Sequence, residues 1–396
     1  MPNHASSREN SSGTVARVIL KAIFWASAAG LAWTHVGYPV AAAALRRVRE
    51  RPVRKEEIEP TVSLIVPAHD EEDVIEARVQ NLLELDYPAE KLELVVASDA
   101  STDRTHELVR AYDRVRLLEC ERAGKLPTMN RAVRETDSEI LAFGDANAVW
   151  APDALHKLVR NFADPDVAYV CGQVRFQRED GTNKEGLYWR YELWLRESES
   201  ALGSITGGNG AIYAVRRSDY VEWPFGHDQG FPSLMVQKGR RAVYEPEALA
   251  FEKPSTHSED EFRRKVRMLP WSWRYLFEAG PLRGVPPMYL FELLSHRVLR
   301  YASGFLHVGL LATSIALVGG LDLPGRTGFA GALARARGRR QAEAPRAGRR
   351  DRLVLPVDDG RHDGRARPLP ARGRAADVGE GGGHPLEPAH GNRRGL

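Results

Sequence analysis

The chain has 396 residues, with 56 Lys and Arg against 53 Asp and Glu and a formal net charge of +3. That balance gives no case for a nucleic-acid-binding protein, and the composition is that of a globular chain long enough for one large or two small domains with an ordinary core. The two cysteines, Cys120 and Cys171, lack metal-ligand spacing and read as structural thiols, in keeping with a reducing cytosol.

Residues 1–17 form a polar N-terminus. Residues 18–45 are mostly Ala, Leu, Ile, Val, Trp and Gly, with Lys21 and His35 as the charged-type exceptions, and exceed the about 20 residues that cross a bilayer. A signal peptide is the competing reading, but its apolar part is usually shorter, about 7–15 residues, and no small-residue cleavage site stands out. Arg46, Arg47, Arg49, Arg51, Arg54 and Lys55 crowd a linker at 46–60. By the positive-inside rule they place the domain C-terminal to them in the cytoplasm.

Residues 61–282 alternate strand-like and helix-like segments. Thr61-Val-Ser-Leu-Ile-Val-Pro-Ala-His-Asp-Glu-Glu72, Leu94-Val-Val-Ala-Ser-Asp-Ala-Ser-Thr-Asp103 and Ile140-Leu-Ala-Phe-Gly-Asp-Ala-Asn147 are apolar runs that end in carboxylates or small polar residues. Buried parallel strands end this way where they open into a ligand crevice. Helical spacing follows in Glu71–Leu85, a helix capped by Ser101 or Thr102 follows the second strand, and Pro152-Asp153 starts another. The series predicts a right-handed βαβ arrangement, mostly parallel, with helices on both faces. Residues 283–302 carry apolar residues with His296, Arg297 and Arg300, a pattern for a helix at a membrane surface. Residues 303–322 form a second apolar run. A buried core helix is the alternative for either run. From Gly325 the chain is built of Arg, Gly, Ala, Pro and Asp, so 323–396 is expected to be disordered. The abrupt break also suggests a reading-frame shift, which translating the other frames tests.

A site for a sugar nucleotide needs acceptors for a ribose and base, cations for a diphosphate and a base for the attacking group. Asp99 ends the second strand and can accept from a ribose hydroxyl or base N–H; Asp103 suits a helix cap or first turn. Lys125 follows a glycine, so its ammonium can meet a phosphate, unless it is a solvated surface lysine. Asp145 and Asn147, two apart, point to one side if extended and suit Mg²⁺ or Mn²⁺. Gly208, Asn209 and Gly210 read as a tight loop leaving room for an acceptor. Asp228 can deprotonate an acceptor hydroxyl, with His227 either sharing that role or lying on the surface. Arg264 and Arg267, three apart, can clamp a diphosphate or face a membrane.

Together these residues resemble the family-2 glycosyltransferases of the GT-A fold, in particular the membrane-bound bacterial group similar to cellulose, chitin and poly-N-acetylglucosamine synthases. The likeness covers about Thr61 to Arg300. Pro67, Ala68 and Glu71 of Pro67-Ala-His-Asp-Glu-Glu72 look like the nucleotide-binding opening, Ser98-Asp-Ala-Ser-Thr-Asp103 like the first aspartate motif, and Asp145-Ala-Asn147 like a D-x-D metal motif. Gly124-Lys125 through Asn130, Tyr188-Trp-Arg-Tyr-Glu192 and Gly208-Asn-Gly210 also look familiar. His227-Asp228 stands where the catalytic acid pair falls, and Arg264 to Met268 where the synthases carry Q-x-x-R-W. His227, Asn147, Arg264 and Met268 depart from those patterns, the last two against a processive polymerase.

The resemblance implies an α/β, GT-A (Rossmann-like) mostly parallel sheet flanked by helices, with N- and C-terminal membrane helices. It implies an inverting transfer of a hexose or N-acetylhexosamine from a UDP-linked donor to a hydroxyl of a carbohydrate or lipid-linked acceptor, in polysaccharide or glycolipid synthesis. The expected setting is the bacterial inner membrane with the catalytic domain in the cytoplasm and no nucleic-acid partner. Alternatives are a catalytically inactive membrane scaffold, a truncated synthase or a nucleotidyltransferase. A dinucleotide-dependent oxidoreductase is disfavoured because no G-x-G-x-x-G follows the first strand.

Overall fold

A computed structural model of the protein describes residues 5–176, 186–253 and 258–320. The expected disordered tail, 323–396, lies outside the described residues. Helix α1 (Ala5–Ala32) begins inside the stretch expected to be only a polar N-terminus and runs through a π-helical turn at Trp33–Gly37 into α2 (Tyr38–Arg49). Glycine at 37 admits that turn, because a Cβ there would lie 2.6 Å from the Trp33 ring. The stretch Thr14–Arg49 is long and apolar enough to cross a membrane.

The strands come next: β1 (Val62–Ala68), then α3 (Ile75–Leu83), β2 (Leu92–Asp99), α4 (Thr105–Arg110), β3 (Val115–Cys120), α5 (Lys125–Arg134) and β4 (Ile140–Phe143). Every residue of β1 is buried, and alternate side chains serve opposite faces as the pleat requires. Val62, Leu64 and Val66 pack towards Ile75, Val79 and Leu82 of α3. Ile65, with Val95 and Ala97 of β2, packs towards Met129, Ala132 and Val133 of α5. Strand β1 lies between β2 and β4, parallel to both, with Val62 opposite Leu92 and Ile140. The three strands therefore start level and end on one edge, at the point where the connections diverge to either side of β1, which is where open α/β sheets form their crevices.

After β5 (Val149–Trp150) and α6 (Ala154–Val159) the sheet changes character. Strand β6 (Val167–Phe176) is followed by α7 (Leu187–Leu202), β7 (Tyr213–Arg216), α8 (His227–Gln237) and β8 (Arg241–Glu252). The described sheet has the order β3-β2-β1-β4-β7-β6-β8-β5. Its β1–β2, β1–β4, β2–β3 and β6–β8 pairings are parallel, whereas β4–β7, β6–β7 and β5–β8 are antiparallel. Helix α9 (Ser258–Glu278) leads to α10 (Pro287–Glu292), a π-helical stretch at Leu293–Val298, α11 (Leu299–Tyr301) and α12 (Ser303–Gly320). The helices Pro287–Tyr301 and Ser303–Val318 reach membrane-spanning length and apolarity only as a pair, bent by 60°. Small residues let α12 approach α1: a Cβ at Gly309 would lie 3.0 Å from Ser27 Oγ, and one at Gly30 would lie 3.1 Å from Leu306.

In 283–302 the basic residues of the expected membrane-surface pattern turn inward. His296 is 2 % exposed, and His296, Arg297 and Arg300 turn onto Glu192, Glu199 and Thr206 of the domain rather than outward. Cys120 ends an outer strand and Cys171 lies in β6, both buried and free.

Candidate active site

Two residues with positive φ, Asp70 (53°) and Ala100 (54°), turn the chain sharply at the ends of β1 and β2. The loops they open are laced together by carboxylates. Asp70 Oδ1 accepts from Thr102 N (2.7 Å), Asp103 Oδ2 from Glu72 N (2.9 Å) and Glu72 Oε2 from Arg104 N (3.1 Å). The N-cap position of α4 falls on Arg104, later than the Ser101 or Thr102 expected, and Asp103 just before it accepts from Thr105 N at 3.0 Å. Much of the acidic signature thus satisfies backbone donors that the strand ends leave exposed.

What remains walls a crevice of about 330 Å³ lined by Pro67, Ala68, His69, Glu71, Asp99, Lys125, Asp145, Ala146 and Asn147. Asp99, expected to contact a ligand, lines the crevice and is also held by donors of its own chain. Its Oδ1 accepts from Ala123 N (2.7 Å), Gly124 N (3.0 Å) and Thr128 Oγ1 (3.3 Å), and its Oδ2 from Arg122 (2.9 Å). Burial works to raise its pKa, but these backbone donors and Arg122 bring it below the usual carboxylate range. The carboxylate so holds the loop before α5, where Gly124 adopts a φ of +94° that side chains avoid.

That loop delivers Lys125, the first residue of α5, onto Asp145 Oδ1 in a close ion pair. The crevice opposes the charge of Lys125, but Asp145, and beyond it Asp228, hold the ammonium protonated to higher pH than an ordinary lysine. Burial, then the charges of Asp145 and Asp103, push the carboxyl of Glu71 up. Gly210 faces the same point, since a Cβ there would lie 3.4 Å from Asp145 Oδ2 and 3.8 Å from Lys125 Nζ.

Asp145 and Asn147 are not in extended geometry. They occupy a turn closed by Ala148 N donating to Asp145 O at 3.2 Å, and both still line the crevice. Among the described residues no group of three or more His, Cys, Asp or Glu is arranged to hold a metal ion. One carboxylate and one amide oxygen fit a hard cation that takes its other ligands from water and a diphosphate. They do not make an all-protein cage.

Asp228 stands in the first turn of α8, and its carbonyl accepts from Gly208 N at 2.7 Å. It opens onto a second cavity, of about 940 Å³, walled by the 123–127 loop, Asn130, Trp223, Pro224, Phe225, Met268 and Trp271. Lys125 lines both cavities. Asp145 and Asp228 both act on Lys125, and Asp99 lines the first cavity beside it. Burial raises the pKa of Asp228, partly opposed by Lys125. His227, by contrast, is a packing residue and not a surface one: it is 3 % exposed, its ring stacks on Phe231 at 4.1 Å, and its Nδ1 lies 2.8 Å from the Tyr213 hydroxyl. Burial and the charge of Lys125 push its pKa down to about 3, which keeps the ring neutral.

Of the glycine-rich loop, Asn209 turns inward. Its amide donates to Gly172 O (2.8 Å) and its Oδ1 accepts from Ala211 N (3.1 Å) and Ile212 N (3.0 Å), so it shapes the loop. Arg264 and Arg267 lie on α9, but their side chains fall outside the described residues. Sequence reasoning missed His69 and the aromatic wall of Trp223, Phe225 and Trp271, whose only sequence signal was a local density of aromatics. It also missed Arg78, 1 % exposed under the metal-motif turn, which requires glycine at 144: a Cβ there would lie 2.7 Å from its Nη2.

A parallel half-sheet opening onto a lysine-bridged acidic crevice, extended by an antiparallel strand, defines a protein of the GT-A fold. The solved mannosyltransferase PcManGT of Pyrobaculum calidifontis, in complex with GDP-Man and Mn²⁺, superimposes with a TM-score of 0.65 over 82 % of this chain and 92 % of that one, at 26 % identity. Residues 63–222 match the model of glycosyl transferase family 2. The chain is 31 % identical over 172 residues to the beta-monoglucosyldiacylglycerol synthase of Nostoc sp., a match to 40 % of this chain and 36 % of that one. It is 27 % identical over 287 residues to an N-acetylglucosaminyltransferase of Rhizobium meliloti, covering 64 % and 67 %. The chain thus spans about a third of the length of the first relative and two thirds of the second. Its likeness to glycosyl transferase family 2 lies in residues 63–222.

Proposed function

We propose that this chain transfers a hexose or N-acetylhexosamine from a UDP-linked donor, with inversion, to a hydroxyl of a lipid-linked or carbohydrate acceptor at the cytoplasmic face of a bacterial inner membrane. The observation that carries the proposal is the shared lysine: Lys125 joins a small polar crevice sized for a nucleoside diphosphate to a larger apolar cavity that ends at Asp228.

In this reading Pro67, Ala68 and Glu71 meet the nucleoside, and Asp99 holds the loop that presents Lys125. Asp145 and Asn147 hold Mg²⁺ or Mn²⁺, which when bound neutralises the diphosphate. Lys125, with Arg264 and Arg267 as further cations, stabilises the departing diphosphate. The acceptor oxygen forms a bond to the anomeric carbon as the bond to the diphosphate oxygen breaks, and the acceptor proton passes to Asp228. A carboxyl lifted by burial suits a base that must release its proton again. Gly208 and Gly210 leave room at the junction. The apolar wall of Trp223, Phe225 and Trp271 favours an acceptor with an apolar part, which supports glycolipid over polysaccharide synthesis. The helix Thr14–Arg49 supports a membrane anchor, and its basic flank supports cytoplasmic orientation.

Purified full chain with Mn²⁺ and a UDP, GDP or dTDP sugar tests the proposal by release of nucleoside diphosphate on adding acceptor. Asp228→Asn is expected to lose turnover by about 10²–10⁴-fold, the usual worth of a general base, while donor binding survives. Near-normal turnover removes Asp228 from the mechanism, and no release from any donor supports a non-catalytic scaffold.

A further inference from the structure

Glu199 on α7 is 1 % exposed and takes no part in the transfer chemistry, yet both its oxygens are fully engaged. Oε1 accepts from the Tyr38 hydroxyl at 2.7 Å and lies 2.6 Å from His296 Nδ1. Oε2 accepts from Thr206 N at 3.1 Å and from Thr206 Oγ1 at 2.9 Å. Four hydrogen-bonding positions are filled, which is what a buried carboxylate requires.

The partners come from three separate places. Tyr38 opens α2, the continuation of the long apolar helix; His296 belongs to the π-helical stretch that precedes α12; Thr206 starts the loop that runs to Gly210. Arg297 seals the arrangement, its Nε donating to Thr206 Oγ1 at 3.1 Å. It also packs against Gly207 so closely that a Cβ there would run into the guanidinium. Two residues beyond Thr206, Gly208 N donates to the Asp228 carbonyl at 2.7 Å. The route from the apolar helices to the candidate base is therefore one tyrosine hydroxyl, one carboxylate, three loop residues and one backbone hydrogen bond.

We infer that Glu199 is a positioning residue that clamps the Thr206–Gly208 loop to the apolar helices and so holds Asp228 in register with the junction of the two cavities. The catalytic part of this inference rests on Asp228 acting as the base; the mechanical part does not. Two variants separate them. Tyr38→Phe deletes only the hydroxyl that reaches Glu199 from α2, and Glu199→Gln leaves an amide that cannot accept from both Tyr38 and Thr206 while meeting His296.

In the full chain in detergent micelles, amide hydrogen exchange at 204–210 is expected to quicken by about tenfold or more in both variants, with β1 to β4 unchanged. Turnover is expected to fall about tenfold with the donor KM within twofold. Tyr38→Phe should lower the residual turnover of Asp228→Asn by less than it lowers that of the parent. Unchanged exchange at 204–210, or exchange accelerated throughout the domain, overturns the clamp. Loosening of the loop in a chain that turns over no donor upholds the clamp and removes the enzymatic reading instead.

Discussion

Gly208 offers the sharpest test of how tightly the loop before β7 is built. A Cβ at this position would overlap the hydroxyl of Tyr169 and lie 3.1 Å from Cys171 Sγ. Both neighbours are 0 % exposed in the core beneath the sheet, so neither can swing away. Gly208→Ala therefore forces overpacking, which costs about 1–3 kcal/mol. For a domain of this size each kcal/mol lowers Tm by roughly 2–4 °C, so a fall of roughly 2–12 °C is expected. If the backbone yields instead, Gly208 N moves off the Asp228 carbonyl and turnover falls with little loss of fold. Among the described residues the Tyr169 hydroxyl has no hydrogen-bond partner stronger than the Cys171 thiol, so Tyr169→Phe alone should be neutral or mildly stabilising. In the double variant the phenyl ring leaves space for the new methyl, and a coupling energy of about 1 kcal/mol or more should appear in thermal or denaturant unfolding. A Gly208→Ala protein that unfolds like the parent, or a Tyr169→Phe change that rescues nothing, would refute this account of the contact.

Lys125→Ala should weaken donor binding by about 10–150-fold, the worth of a charge-assisted contact, read by titration of the nucleotide sugar; unchanged affinity would leave Lys125 as only a partner for Asp145. Burial raises the pKa of Asp228, so if it acts as the base, kcat should rise with pH through a midpoint above the ordinary value of about 3.9. A midpoint at or below that value would contradict the burial. The sign is opposite for Glu199: burial opposes its charge, but His296, Arg297 and the Tyr38 hydroxyl hold its pKa down to about 2. Its stabilising contribution is present above about 4.5 and lost as pH falls towards 2, so acid unfolding of Glu199→Gln should be less steep over that window. Burial also pushes the thiols of Cys120 and Cys171 up, and neither should react with a thiol reagent faster than the fold opens.

Much of the first crevice is legible in the chain because parallel strands buried on both faces must be apolar runs, and their ends must turn polar where the sheet opens. Asp145 and Asn147 stand where that logic puts them and Lys125 follows a glycine, while Pro67, Ala68 and Glu71 came from the resemblance; all six line one cavity. The task of each acid is not legible. Asp99, Asp103 and Asp145 are the same side chain at similar strand ends, and only the backbone N–H groups brought within about 3 Å distinguish a loop anchor from a cap or a free ligand. The reversal at β7 has the same origin, since local pattern does not record the direction from which a strand enters the sheet.

The amino-acid order by itself determined the strand-and-helix series and the apolar ends, which follow from local periodicity, and its contiguous motifs carried the likeness to a family. Folding alone decided that Asp228 shares Lys125 with a crevice built some hundred residues earlier, that His227 is buried and neutral, and that Glu199, Tyr38, Thr206 and His296 meet. Those outcomes depend on distance and on loss of water between segments far apart in the chain, and neither quantity is written in the neighbours of any one residue.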